Sequence, residues 1–201
     1  MFKNTTKAIW LPQREKEMNL QAGFICEFQR QNSQHHTLKI SGSSLLRVTL
    51  NGEFVHYGPA RGPHGFVRID EIILPAQLLQ ENNVLAIEVA GYNCSTFYTL
   101  KLMSFLQAEL WAADELLKST ADNSDFMALE LPLREQQVMR YSYQRAFTEI
   151  YHLDNNLPLS KWNSGADLEF IQPAICEPQV KYLQREVAMP KFAMTKATRR
   201  L

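Results

Sequence analysis

An Asn-Gly pair at positions 51 and 52 limits the possible fold more than any other feature of this chain. On its N-terminal side, Leu46, Val48 and Leu50 alternate with polar residues, which is the period-two pattern of a half-buried strand. Both central residues of a type I′ turn need positive φ, which Asn tolerates and Gly adopts freely. The pattern therefore predicts a β-hairpin in which residues 53–57 return beside the first strand.

Alternation of apolar and polar residues continues along most of the chain and predicts an all-β protein. Many short segments of this kind are typical of an antiparallel β-sandwich or jelly roll. The segments with this pattern are 24–28, 38–40, 85–89, 106–112 and 127–131. Between them, one helical turn is expected over residues 74–79, because Pro75 suits the first position of a helix.

The balance of charges argues against a nucleic acid or an anionic membrane as partner. The chain of 201 residues has 21 basic and 21 acidic side chains, so its formal net charge is zero. Phosphate-rich partners attract an excess of positive charge. No apolar run approaches the roughly 18 residues that cross a bilayer, and residues 1–10 lack the apolar core of a signal peptide. Since a cleaved leader would leave no trace, both cytoplasm and periplasm stay open.

The three cysteines do not suggest a metal site or a disulfide framework. Cys26, Cys94 and Cys176 lie far apart, and no spacing among them matches a zinc motif. The adjacent pair His35 and His36 points to opposite sides of an extended chain and has no third ligand nearby. We therefore expect reduced thiols, no metal and no cofactor.

The C-terminal part differs in character from the rest. From Pro173 onward, Pro178 and Pro190 are spaced through polar residues without sustained alternation. This composition predicts a sandwich domain over residues 1–175 and an extended linker, or the start of a following domain, over 176–201. The unfinished appearance of the last residues predicts that the chain is part of a longer protein.

Several segments taken together resemble the N-terminal β-sandwich of bacterial α-L-rhamnosidases and similar glycoside hydrolases. The order and spacing of these segments carry the resemblance. They are the hairpin leading into Gly58-Pro59-Ala60-Arg61, the stretch 69–78 leading to 83–86, the strand 104–110, the stretch 141–151, and Trp162. The resemblance covers most of residues 1–175.

This resemblance implies a galactose-binding-like jelly roll that precedes an α-helical barrel. In such enzymes the barrel carries the two acids of inverting hydrolysis, so the resemblance assigns no catalytic residue to this chain. It implies a non-catalytic domain that supports or orients a downstream catalytic domain of the same polypeptide. The alternative is a carbohydrate-binding module for rhamnose-containing glycans.

The loop from Gly58 to Gly65 supplies two candidate binding residues, Arg61 and His64. Proline presets the backbone of this loop and glycine permits unusual φ, so the loop can place donors accurately. The planar fork of Arg61 could bind sugar hydroxyls or a carboxylate on a neighbouring domain. The structural alternative is that Arg61 pairs with a local carboxylate such as Asp70.

Aromatic residues near strand ends supply the remaining candidates. Tyr57 could stack on a sugar, because the C–H face of a pyranose is apolar. Tyr92 and Asn93 follow Gly91 at a strand end, where the loops of a sandwich gather. Most aromatic residues at strand positions belong to the core instead, so both interpretations stay open.

The adjacent acids Asp70 and Glu71 are not expected to form a catalytic pair. Successive residues of a strand point to opposite faces, so the two carboxyl groups cannot converge on one ligand. The simpler interpretation of this pair is a solvated strand edge.

Overall fold

The computed structural model describes residues 1–33, 35–121, 123–131, 134–140, 142–152, 162 and 168–192. These residues form twelve β-strands and one 3-10 turn, Ala76–Leu78, which Pro75 precedes as the sequence predicts. The strands are β1 (Ala8–Trp10), β2 (Leu20–Gln29), β3 (His36–Ser43), β4 (Leu45–Leu50), β5 (Glu53–Gly58), β6 (Phe66–Ile73), β7 (Asn82–Gly91), β8 (Phe105–Ala112), β9 (Glu115–Ser119), β10 (Met127–Glu130), β11 (Ala174–Cys176) and β12 (Lys181–Gln184).

The strands form two sheets that pack as a sandwich, which confirms the all-β prediction. One sheet has the order β11-β1-β8-β3-β6-β12, with β9 also paired to β8, and the other has the order β10-β2-β7-β4-β5. Every pairing is antiparallel except that of β12 with β6. Within the described ranges, no helix is long and apolar enough to span a membrane.

The core lies between the two sheets and contains the residues that the alternation predicts. Phe24 of β2 lies against Trp10 of β1, with 5.6 Å between the ring centres. The inward residues of β3, β7 and β8 are completely buried, as are Leu46, Val48 and Leu50 of β4. Burial of this apolar surface is the main stabilising contribution to a sandwich of this kind.

The outer face of the five-stranded sheet carries a smaller apolar cluster. Its members are Ala86, Leu129, Leu131 and Trp162. A Cβ added to Gly23 would lie 2.7 Å from an indole carbon of Trp162, so only glycine allows this close approach. The polar face that simple alternation predicts for this sheet is therefore partly covered.

The hairpin forms as the Asn-Gly pair predicts. Asn51 and Gly52 have φ angles of 52° and 84°, and β5 pairs antiparallel with β4 on their two sides. A bulge between Val48 and Thr49 shifts the register by one residue, so that Val48 lies opposite His56. The shift directs His56 into the protein, where it is buried.

The segment that the sequence predicts to be a linker contributes strand β12 and the last residue of β11 to the sandwich. Strand β11, which pairs with β1, continues across the predicted boundary at residue 175. Strand β12 then adds to the edge of β6 in parallel, from Lys181 opposite Phe66 to Gln184 opposite Ile69. The sequence did not predict this strand, because Lys181–Gln184 is short and lies among spaced prolines. Only its pairing with β6 defines it as a strand. Residues 193–201 of the predicted linker lie outside the described part.

Candidate binding cleft

A cleft of about 760 Å³ opens between two connections of the sandwich. One is the loop between β5 and β6, which contains Arg61 and His64, and the other is the long connection between β7 and β8, which contains Tyr92. Tyr57, near the end of β5, also lines it. The fold thus brings together four of the five candidate residues from two distant parts of the chain.

Arg61 lies at the exposed rim of the cleft and does not pair with Asp70. Its guanidinium carbon is 4.9 Å from the centre of the Tyr98 ring, which is the geometry of a cation–π contact. The backbone of the loop is fixed at this point, because Arg68 Nε donates a hydrogen bond to the Arg61 carbonyl oxygen at 2.8 Å. The alternative in which Arg61 pairs with Asp70 is therefore not observed, because His56 and Arg185 occupy that carboxylate.

Tyr57 and Tyr92 line the cleft with different exposure. Tyr57 is exposed, whereas Tyr92 is buried beneath the guanidinium group of Arg134, 5.5 Å from its ring centre. Partial burial, followed by nearby Tyr92 and Glu149, raises the pKa of Tyr57. The Tyr57 hydroxyl therefore stays protonated at neutral pH and can donate a hydrogen bond to a ligand.

Asn93 makes contacts within the protein and is not among the described residues that line the cleft. It is buried and adopts a φ of 45°, and its side-chain amide donates to the Lys16 carbonyl oxygen at 2.6 Å. Asn tolerates this left-handed conformation better than most residues. Asn93 thus fastens the start of the β7–β8 connection to the N-terminal region, while its neighbour Tyr92 faces the cleft.

The β7–β8 connection also supplies Phe97, which sequence reasoning missed as a candidate. Phe97 is exposed and meets the ring of Tyr143 edge to face, with 6.1 Å between the centres. The hydroxyl oxygen of Thr96 accepts hydrogen bonds from the amides of Tyr98 and Thr99, each at 2.9 Å, and so fixes the turn that presents these rings. The signal in the sequence is an aromatic pair between threonines, in a stretch too short for a strand.

A buried charged group lies behind the β5–β6 loop. Asp70 is 0% exposed, and its two oxygens contact His56 Nε2 at 2.8 Å and Arg185 Nη1 at 2.9 Å. Burial opposes ionisation of Asp70, but the hydrogen bonds from His56 and Arg185 outweigh it and lower the pKa of this carboxyl. The prediction of a solvated strand edge is thus wrong for Asp70. It holds for Glu71, which is exposed and whose Oε1 lies 3.9 Å from Lys39 Nζ.

Gly58 is the residue that lets this group form beneath the loop. A Cβ at position 58 would lie 2.4 Å from an Asp70 carboxylate oxygen and 2.7 Å from His56 Nε2. Any side chain would push apart the hydrogen-bonded His56 and Asp70 or the loop above them. Gly58 therefore serves close packing as well as the turn that the sequence suggests.

The cysteines and the metal-ligating side chains show no reactive arrangement in the part of the chain that the structure describes. All three cysteines are free, and burial raises the pKa of Cys26 and of Cys176 to about 12. Thiols of such high pKa stay protonated and are poor nucleophiles. Among the described residues, no three His, Cys, Asp or Glu side chains are grouped so that they could hold a metal ion.

No family model matches this chain, and no curated protein matches it in sequence. A GH78 family rhamnosidase of Bacillus sp. GL1 matches 94% of this chain over 20% of its own length, with a TM-score of 0.82 and 22% identity. The α-L-rhamnosidase from Dictyoglumus thermophilum matches 90% of this chain over 22% of its own, with a TM-score of 0.63 and 13% identity. The α-L-rhamnosidase from Aspergillus terreus matches 87% of this chain over 21% of its own, with a TM-score of 0.60 and 16% identity. The chain therefore has the fold of one domain of α-L-rhamnosidases and spans about a fifth of the length of these proteins.

Proposed function

We propose that this chain is a non-catalytic β-sandwich domain of a glycoside hydrolase similar to the α-L-rhamnosidases, and that it supports and orients a catalytic domain of the same polypeptide. The observation that carries the proposal is the match to the Bacillus sp. GL1 rhamnosidase, which includes 94% of this chain and only 20% of that one. The similar proteins are much longer than this chain. We therefore expect a domain of this size to contact mainly other domains of the same polypeptide.

The composition of the cleft supports a non-catalytic role. Inverting hydrolysis needs two carboxyl groups about 6.5–9.5 Å apart, one to protonate the leaving oxygen and one to activate water. The described residues that line the cleft include no Asp or Glu. Asp70, the nearest buried acid behind the loop, is occupied by His56 and Arg185. The proposal therefore assigns the chemistry to a different domain.

The size of the native polypeptide tests this proposal directly. Blotting of source cells with an antibody to this chain should show a band several-fold larger than the 201-residue chain. The larger polypeptide, once purified, should hydrolyse p-nitrophenyl α-L-rhamnoside, whereas the 201-residue chain should not. A native band of the size of the chain itself would contradict the proposal.

The exposed rings of the cleft favour a second candidate function, a carbohydrate-binding module. Tyr57, Phe97 and Tyr98 present aromatic surface beside the guanidinium of Arg61, and this combination can stack on a sugar and bind its hydroxyls. Calorimetric titration with L-rhamnose and rhamnosylated oligosaccharides should then give saturable heat that Tyr98→Ala abolishes. Ile73→Ala, an exposed position outside the cleft, is the control. Absence of heat with the whole panel would exclude this function.

A further inference from the structure

A small cavity of about 120 Å³ lies on the outer face of the five-stranded sheet. Three neighbouring strands, β2, β7 and β4, form its floor with Gln21, Glu88 and Arg47. The described residues that cover the floor are Leu131, Arg134, Tyr151 and Trp162. This cavity shares no described lining residue with the cleft.

Two buried side chains in this cavity have donors without acceptors. Arg134 is 7% exposed, and its Nε and Nη2 atoms have no hydrogen-bond acceptor in the described structure. The nearest carboxylate, that of Glu149, is 3.8 Å from Nη2, which is beyond hydrogen-bond distance. Gln21 is 6% exposed, and among the described residues nothing accepts from its Nε2. Buried donors are nearly always paired with the protein or with ordered water, so the unpaired donors lining this cavity mark a place where water or the hydroxyl groups of a ligand accept from them.

The charges around the cavity favour a neutral ligand. Arg47 forms an ion pair with Glu88, and Arg134 faces Glu149, so two cations are balanced by two anions. A free carboxylate or phosphate would find no net positive charge here. A hydroxyl group, in contrast, can accept from Arg134 or Gln21 and donate to a carboxylate.

The lining residues and the volume of the cavity restrict the class of ligand further. Trp162 and Leu131 give the cavity an apolar side, and 120 Å³ is the space of about four water molecules. This space suits one edge of a sugar ring with its hydroxyls rather than a whole oligosaccharide. We propose that the cavity binds the hydroxyl edge of a neutral sugar residue, with Arg134 and Gln21 as donors. This site goes beyond the proposed supporting role and does not depend on it.

Calorimetric titration of the 201-residue chain tests the site. The probes are methyl α-L-rhamnopyranoside and methyl β-D-galactopyranoside, with sodium acetate and sodium D-glucuronate as anionic comparisons. At least one neutral glycoside should bind, and Gln21→Met and Arg134→Lys should each weaken that binding tenfold or more. The matched control Gln29→Met lies on the same strand and the same face, eight residues further on, and is exposed. It should leave the affinity unchanged.

Thermal unfolding without ligand separates a ligand site from a structural role. Because Gln21 Nε2 has no described acceptor in the protein, Gln21→Met should not lower the Tm of the free chain. A large fall in Tm would mean that fixed internal partners satisfy the amide, which would contradict the proposal. Silence with both neutral glycosides, stronger binding of the anions, or sugar binding that both cavity variants leave intact would also overturn it.

Discussion

Asp70 shows how a single buried residue connects distant parts of this molecule. It lies on β6, receives one hydrogen bond from His56 on β5, and receives the other from Arg185 just beyond β12. Asp70 itself is completely buried, and the absence of a side chain at Gly58 leaves room for its carboxylate and for the His56 ring. A buried charge is tolerated only when it is paired and hydrogen-bonded, so the three side chains depend on one another.

Asp70→Asn is expected to destabilise the chain by about 3 kcal/mol at neutral pH, because it leaves the Arg185 side chain, which is only 11% exposed, without its counter-charge. For a domain of this size, that loss corresponds to a decrease in Tm of roughly 6–12 °C. Thermal unfolding followed by circular dichroism measures it. Glu71→Gln, at the exposed neighbouring position, is the control and should change stability by less than about 0.5 kcal/mol. Equal effects of the two substitutions would contradict the role of the buried pair.

The lowered pKa of Asp70 also predicts a pH dependence of stability. A carboxyl whose folded pKa lies below its unfolded value of about 3.9 stabilises the protein above that value, and this stabilisation is lost as the pH falls through the folded pKa. The free energy of unfolding of the unmodified chain should therefore fall more steeply below about pH 5 than that of Asp70→Asn. Urea denaturation at a series of pH values from 7 to 3 checks this, and parallel curves for the two proteins would refute it.

At the scale of elements, the β4–β5 hairpin is fixed by more than its turn conformation. The Asn51 side chain accepts from the amide of Val84 at 2.8 Å and donates to the carbonyl oxygen of Leu78 at 2.8 Å. It also donates to the Asn83 side chain at 3.1 Å. The turn residue therefore joins the hairpin to the 3-10 turn and to the start of β7. Loss of its amide would leave two backbone groups, the Val84 N–H and the Leu78 carbonyl oxygen, without these partners.

Asn51→Gly separates these two roles of the turn residue. Glycine adopts the required positive φ at least as well as Asn, so the turn alone predicts no loss of stability. The missing hydrogen bonds predict a loss of about 2 kcal/mol. Denaturant unfolding measures the difference, with Glu53→Gln at the exposed first position of β5 as control. A stability equal to that of the unmodified chain would show that only the φ angle matters.

At the scale of the whole molecule, the C-terminal segment closes one edge of the seven-stranded sheet. Strand β12 pairs with the outer edge of β6, and Arg185 follows it to Asp70. Further on, Phe192 packs edge to face against Phe54 at 5.2 Å and against His56 at 5.7 Å. The segment thus covers an edge that would otherwise expose unpaired backbone groups.

A chain that ends at Val180 is expected to be less stable than Asp70→Asn, because it loses β12 together with the Arg185 ion pair. The uncovered edge of β6 should also promote association. Thermal unfolding and light scattering on a sizing column test the two effects. Arg185→Ala in the full chain is the comparison that removes only the ion pair. Unchanged stability and a monodisperse monomer would mean that the segment from residue 181 is a linker, as the sequence predicts.

The sequence by itself determined the all-β class, the Asn-Gly hairpin and most of the inward residues, because alternation and positive φ are local properties of the chain. It also identified Tyr57, Arg61, His64 and Tyr92, which the structure gathers around one cleft. These residues come from a conspicuous loop and a strand end, where local composition is informative.

Only the tertiary structure decided which polar residues are buried and which partners they have. Asp70 and Glu71 look equivalent as neighbouring acids, yet the pleat sends one to Arg185, 115 residues away in the sequence, and the other to solvent. The unpaired donors of Arg134 and Gln21 likewise line one cavity only because the segment that contains Arg134 covers the sheet face that contains Gln21. Such pairings depend on contacts between residues far apart in the chain, and no local pattern of residues encodes them.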